Sequence, residues 1–255
     1  MQTLNTPPKK MLSNARINLT RGLPMFIPNR ERDEVCIVGG GPSLSATLPN
    51  LRMRKNRGAE IWALNGAMDW LQEHYIVPDA MVLLDARPEM TGMLRNLHRK
   101  TTYYVAAQCD PRVFDALEGY NVKIWVGYCP GIEDVCNEFS DKPIVIVGNG
   151  NTVGLKAMAL ASLCKFPRMH LFGFDSCYGE YAHHAYSQPL NDGEEVVFVQ
   201  VAGRKFKCGK WMARQAVDFQ TDYANITAAG SKITVHGDGL ISHIAKQLKQ
   251  EVEHV

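Results

Sequence analysis

The sequence predicts an α/β fold, with one main domain built on a mostly parallel β-sheet that has helices on both faces. Three observations predict it. Short runs that are almost entirely apolar, such as EVCIV, EIWALN and KPIVIVGNG, recur along the chain. Strands buried on both faces read this way, without an alternating pattern. Segments of helix formers lie between these runs, and strand–helix alternation is the signature of parallel sheets. The first run also passes directly into GGGPS, a glycine-rich turn of the kind that joins a strand to a helix.

Residues 1–32 form an N-terminal arm with scattered apolar residues and no sustained period. The arm either packs on the body or reaches a partner subunit, and a homo-oligomer is expected. Residues 33–255 form the main domain. Its first strand is EVCIV from Glu34, and its second is EIWALN from Glu60 to Asn65. A helix covers Gly66 to Glu73, and a third strand ends at Asp85. TTYYVAAQC is the fourth strand and RVFDALEG, after Pro111, a short helix. NVKIWVGY is the fifth strand, and Lys142 to Gly150 the sixth. Thr152 to Lys165 carries little charge and reads as a buried helix, followed by a strand from Met169 to Asp175. Residues 176–209 are an active-site loop or lid that includes a small hairpin in EEVVFVQVAG. Lys210 to Thr227 is helical, KITVHG is the last strand, and ISHIAKQLKQEVEHV closes the chain as a helix.

Composition narrows the function classes. The 255 residues are 45% hydrophobic and 21% charged, as in an ordinary globule with a full core. A net charge of +2 gives no support to a dedicated nucleic-acid binder. The seven cysteines are odd in number and contain no CxxC pair, which fits reduced thiols in a cytoplasmic protein and argues against structural zinc. No stretch approaches the roughly 20 apolar residues needed to span a bilayer. The polar start, MQTLNTPPKK, lacks a signal-peptide core.

In parallel sheets, ligands sit beyond the carboxyl ends of the strands, and GGGPS occupies that place. Gly39, Gly40 and Gly41 permit a tight turn and close backbone approach. Pro42 suits an early helical position, and Ser43 either caps the helix or offers its hydroxyl to a phosphate. The loop is not a Walker A motif. Nor is it a dinucleotide fingerprint, since Leu44 stands where the third glycine belongs and Glu60 opens the second strand instead of ending it.

A second turn repeats the plan. In IVIVGNGNTVGLKAMALA, Asn149, Gly150, Asn151 and Thr152 follow a strand and precede a helix. Their side chains suit a ribose, base or phosphate, and Thr152 is also a credible N-cap. A third cluster is FDSCYGEYAHHAYS. Here Asp175 closes a strand, and Tyr178, Tyr181, His183, His184 and Tyr186 follow. Either histidine can exchange a proton near neutral pH. Asp85 and Asp175 end their strands alike and can hold Mg²⁺, hydrogen-bond a sugar or cap a helix. Asn65 ends a strand too. The segment from Arg204 to Arg214 interleaves Lys205, Lys207 and Lys210 with Phe206 and Trp211, a pattern that grips a nucleic-acid backbone or forms a solvated face.

The order VCIVGGGPSL, WALNGA, PDAMVLLDARP, VGNGNTVGLKAMALASL and LFGFDSCY resembles the DUF115, or MptE-like, family. That family includes archaeal 6-hydroxymethylpterin pyrophosphokinase-like proteins and bacterial motility accessory factor glycosyltransferases. The same order is similar to the small bacterial sialyltransferases that use CMP-sialic acid. The resemblance covers Val35 to Leu240 and implies a Rossmann-like, nucleotide-binding transferase. It implies that Gly39 to Ser43 approach donor phosphates, that Asn65 lines the nucleotide pocket, and that Asn149 to Thr152 contact ribose or base. It implies an anchoring role for Asp175, a general base at His183 or His184, and a tyrosine at the leaving phosphate, Tyr178 or Tyr186. The spacing around the histidines departs from the sialyltransferase pattern.

Three functions follow. The first is a glycosyltransferase that moves a sugar from a CMP-, UDP- or GDP-linked donor to an acceptor hydroxyl. A hydroxylated DNA base is one acceptor class. The second is a diphosphokinase acting on a hydroxymethylpterin-like alcohol, with ATP and with Mg²⁺ on Asp85 and Asp175. The third is a nucleotide-binding or assembly protein without catalysis.

Overall fold

The N-terminal arm contains a helix, α1 (Pro8–Leu19). The computed structural model describes residues 6–140, 144–148, 150–179, 184–186 and 195–253. Polar side chains anchor α1, which is why its apolar pattern is weak. Asn14 and Asn18 are fully buried, and their amides donate to the carbonyls of Gln108, Ala107 and Cys109. Residues 24–26 then run along the sheet, with Ile124 N–H donating to Pro24 O at 2.9 Å. They cover backbone groups that would otherwise form an open edge.

The sheet begins at β1 (Glu34–Val38) and steps outward in one direction. In order come β2 (Glu60–Leu64), β3 (Ala80–Leu83), β4 (Thr102–Ala106), β5 (Asn121–Gly127) and β6 (Ile146–Val147). The chain then returns to the other side of β1 as β7 (Arg168–Phe172). A separate antiparallel hairpin, β8 (Val196–Val201) and β9 (Arg204–Gly209), precedes β10 (Lys232–Val235), which pairs with β7. The eight-stranded order is β10-β7-β1-β2-β3-β4-β5-β6, with every pair parallel. The reversal falls between β1 and β7, whose departing chains leave a crevice at their carboxyl ends.

Helices cover both faces, giving the Rossmann-like architecture. They are α2 (Leu44–Asn56), α3 (Ala67–Glu73), α4 (Pro111–Ala116), α5 (Ile132–Phe139), α6 (Val153–Leu163), α7 (Lys210–Ala228) and α8 (Leu240–Glu253). The sequence reading assigned no helix at α5. Its two turns are too short to nucleate alone. It packs on α1, with an Arg16–Glu138 ion pair at 2.7 Å between the two helices, and buries Ile132 and Val135. Several strands end earlier than expected. β3 stops at Leu83 and β7 at Phe172, because Gly173 at φ +63° turns the chain. Among the described residues β6 is Ile146–Val147, its ladder with β5 continues as Tyr128 N–H donates to Val147 O, and the Lys156 side chain donates to the carbonyls of Val147 and Gly148.

A buried imidazole, His170, and a half-buried one, His236, sit beside the β7–β10 pair. His170 Nδ1 and His236 Nε2 are 3.1 Å apart, and His236 stacks on Phe172. Burial holds both rings well below the usual histidine range, at about 4, with Arg54 adding repulsion. In the unfolded chain they take up protons near pH 6.5, so lowering the pH below 6.5 favours unfolding until the folded rings titrate near 4. For His170, which is 4% exposed, the loss between pH 7 and pH 4.5 is about 2–3 kcal/mol. Urea midpoints at those two pH values measure it. The H170N/H236N variant is expected to lose much of the difference, and an equally steep fall in that variant refutes the assignment.

Candidate active site

A cavity of about 830 Å³ opens at the carboxyl ends of the strands. Gly39, Gly40 and Gly41 after β1 line it, as do Gly150, Asn151 and Thr152 before α6. The two glycine turns therefore face one cleft. Asn65 and Asp85 add the ends of β2 and β3, Asp175 the end of β7, and His184 and Tyr186 the segment between β7 and β8. Pro42, Ser43 and Tyr178 do not line it.

Most of the glycine loop's amides are spent within the fold. Gly39 donates to Phe172 O at 2.8 Å, Gly41 to Gly173 O at 2.9 Å, and Ser43 N–H to Asp175 Oδ2 at 3.1 Å. Among the described residues, Gly40 alone of these keeps its N–H without an acceptor. A β-carbon on Gly39 would sit 2.8 Å from Gly173 O, so this glycine lets two loops meet backbone to backbone. Ser43 neither caps α2 nor offers its hydroxyl to the cleft, because Oγ donates to Asp175 Oδ2 at 2.9 Å. Asp175 is 4% exposed, and burial raises its pKa against the lowering effect of Ser43. Its carboxylate joins the glycine loop to the end of β7.

His184 and Tyr186 stand over Gly40. Ala185 N–H donates to Gly40 O at 2.9 Å, His184 Cδ2 lies 2.9 Å from where a Gly40 β-carbon would be, and the Tyr186 hydroxyl fills the same space. Burial pushes the Tyr186 phenol up, so it stays protonated as a hydrogen-bond donor. Asn65, at φ +47°, has a buried Oδ1 without a hydrogen-bond partner.

Across the cleft, Thr152 caps α6 by accepting from Leu155 N–H at 3.3 Å. Asn151 Nδ2 donates to Asp218 Oδ2 at 3.1 Å, and Arg214 pairs with Asp218 at 3.1 Å. Lys156, 4% exposed, donates to Val147 O at 2.8 Å and Gly148 O at 3.0 Å. Burial lowers its pKa to about 8, and burial raises that of nearby Asp222 to about 6.

Several of the residues singled out in the sequence are engaged by neighbours in the fold. Asp85 is gripped by Arg87, at 2.6 Å and 2.9 Å to Oδ2 and 3.1 Å to Oδ1, and Asp175 is held by Ser43. These pairings do not fit carboxylates set out for Mg²⁺, and among the described residues no group of three His, Cys, Asp or Glu is placed to hold a metal. Tyr178 is outside the cleft lining. Its N–H donates to Lys207 O at 2.8 Å and its ring lies 5.4 Å from the Lys207 ammonium. His183, Tyr181 and Asn149 lie outside the described residues. The basic–aromatic segment divides in two. Arg204, Lys205 and Lys207 lie on β9, away from the cleft, whereas Lys210, Trp211 and Arg214 on α7 line it. The sequence reading also missed Lys156, Arg87, Gln215 and Asp218 in the lining. Lys156 had a signal, as the one charged residue in α6. Among the described residues no helix is long and apolar enough to cross a membrane.

A parallel sheet with a glycine loop at its switch point, facing a second glycine turn across one cleft, is a Rossmann-like build that takes its ligand where the strand order reverses. More specifically, the chain belongs to the 6-hydroxymethylpterin diphosphokinase MptE-like family, whose model matches residues 9–181. Among solved structures, it is similar to the MAf glycosyltransferase from Magnetospirillum magneticum AMB-1 at 20% identity and a TM-score of 0.70. That match covers 93% of this chain but 38% of the other, so the two share a fold over a minority of the larger protein. A mammalian sialyltransferase in complex with Gal-beta-1-3GalNAc-ortho-nitrophenol matches at 13% identity and a TM-score of 0.45, over 92% of this chain and 81% of its own. The monofunctional alpha-2,3-sialyltransferase Cst-I from Campylobacter jejuni matches at 12% and 0.41, over 90% and 98%. These last two superpositions are too loose to bear on fold or function. A comparison with curated protein sequences finds no match.

Proposed function

We propose that this protein is a glycosyltransferase that moves a sugar from a nucleotide-sugar donor to an acceptor hydroxyl. The observation that carries the reading is the seating of His184 and Tyr186 over Gly40, in a cleft that also takes in Gly150 to Thr152. His184 accepts the proton of the acceptor hydroxyl. The acceptor oxygen bonds to the anomeric carbon as the carbon–oxygen bond to phosphate breaks, and the electron pair leaves with the phosphate. The Gly40 N–H and the Tyr186 hydroxyl donate to the leaving phosphate. Asn65, Asn151 and Thr152 hold the ribose or base.

A second reading, ATP-dependent diphosphoryl transfer to a pterin-like alcohol, is favoured by the description of the family. The Arg87 and Ser43 pairings of Asp85 and Asp175 weigh against it. A thermal-shift screen followed by turnover assays separates the two. A CMP-, UDP- or GDP-sugar at a hundred times its Kd is expected to raise Tm by roughly 5–10 °C. Acceptor-stimulated loss of that donor is expected with it. Release of AMP from ATP that requires both Mg²⁺ and 6-hydroxymethylpterin, with no sugar-nucleotide turnover, overturns the glycosyltransferase reading. Absence of any nucleotide-dependent shift favours a non-catalytic protein.

A further inference from the structure

We infer that Lys156 is the cation of the cleft that reads the phosphate of the donor. The inference deepens the function proposed above and rests on it for the identity of the ligand. It comes from the cleft's charges taken one by one. The other three lysine and arginine side chains that line it each hold a carboxylate. Arg87 is 2.6 Å from Asp85, Lys210 is 2.5 Å from Glu195, and Arg214 is 3.1 Å from Asp218. Lys156 has no carboxylate at ion-pair distance among the described residues. Its ammonium meets two neutral carbonyls, Val147 O and Gly148 O. An ammonium carries three N–H donors, so one remains for a ligand.

The position is costly without a purpose. Lys156 is 4% exposed and is the one charge in a helix otherwise made of apolar and small residues. A buried charge is retained where it is paired or hydrogen-bonded. Asp222 on α7 provides attraction from a distance, and its Oδ2 is itself buried without a hydrogen-bond partner. A phosphate entering the cleft would supply the anion that Lys156 lacks. The neighbouring glycine loop cannot do this alone, since only Gly40 among its amides is unspent. The carbonyl bonds also hold the turn before α6, so a purely structural role is the rival account.

The test compares phosphate-bearing and phosphate-free probes. Binding of inorganic pyrophosphate, and of CMP, UDP, GDP and ADP beside their nucleosides, is measured by calorimetric titration on wild type, K156M and K156R. Lys156→Met is expected to weaken pyrophosphate and the preferred nucleotide about tenfold or more. The matching nucleoside is expected to stay within about twofold, since it makes no charged contact. Lys156→Arg, which keeps the charge, is expected to retain the preference for phosphate. Lys156→Gln replaces the methionine variant if that one fails to fold. Equal weakening of nucleotide and nucleoside supports the structural account and overturns the inference, as does unchanged nucleotide affinity in K156M. If pyrophosphate binds through Lys156 but no nucleotide binds, the inference stands and the nucleotide-donor reading falls. If no phosphate probe binds the wild-type protein, both fall.

Discussion

Replacing His184 by asparagine is expected to lower acceptor-dependent turnover about 10²- to 10⁴-fold, the range that a positioned general base contributes. Donor binding is expected to persist, because the substitution removes a ring above Gly40 and leaves the loop backbone in place. The measurement is kcat with the best sugar nucleotide from the screen, beside its thermal shift on the same variant. Tyr186→Phe serves as the companion. It keeps the ring that packs over Gly40 and Gly66 and removes only the hydroxyl. Its loss should appear in kcat as well, since a donor aimed at the leaving phosphate matters most as charge develops there. A His184→Asn protein that keeps kcat within tenfold of wild type would remove the imidazole from the mechanism.

Substituting alanine at Gly173 is expected to damage the protein itself. Gly173 has φ +63°, a conformation that costs a residue with a side chain about 1–3 kcal/mol. The new β-carbon would also lie 2.9 Å from the Gly39 carbonyl carbon and 3.0 Å from Gly41 N. These are backbone atoms that cannot swing aside. A total near 3 kcal/mol or more corresponds to a fall in Tm of roughly 6–12 °C. Gly58→Ala is the control. It shares the positive φ, at +90°, but has nothing within 4 Å of the added carbon, so only the conformational cost applies. Comparable losses at both positions would mean that the β1–β7 loop contact contributes little. A larger loss at Gly173, with nucleotide shifts gone, identifies that contact as the base of the cleft.

The unequal outcome for the glycine loop shows how far one-dimensional reasoning reaches. Three consecutive glycines after a buried strand correctly mark close backbone approach. The sequence cannot tell what approaches, and for Gly39 and Gly41 the partner is Gly173, 132 to 134 residues further on. Ser43 fails in the same way, since a hydroxyl at a helix start suits a phosphate or a carboxylate equally until Asp175 is brought beside it. The α1 helix was missed because asparagine amides bonded to distant carbonyls replace the apolar stripe that a periodicity search seeks. Lys156 is different, for its oddity in an apolar helix was visible from the start and only its surroundings were not.

The sequence by itself determined the class of fold, the succession of strands with most of the helices between them, and the two glycine turns, because burial on both faces and tight backbone bends leave local marks in residue type. Only the tertiary structure decided which charges are already matched, which amides are already used, and that Lys210, Trp211 and Arg214 face the cleft while Lys205 and Lys207 do not. Those outcomes depend on partners far away in the chain. Electrostatic and hydrogen-bond pairing act over a few ångströms of space, and the order of residues does not record that distance.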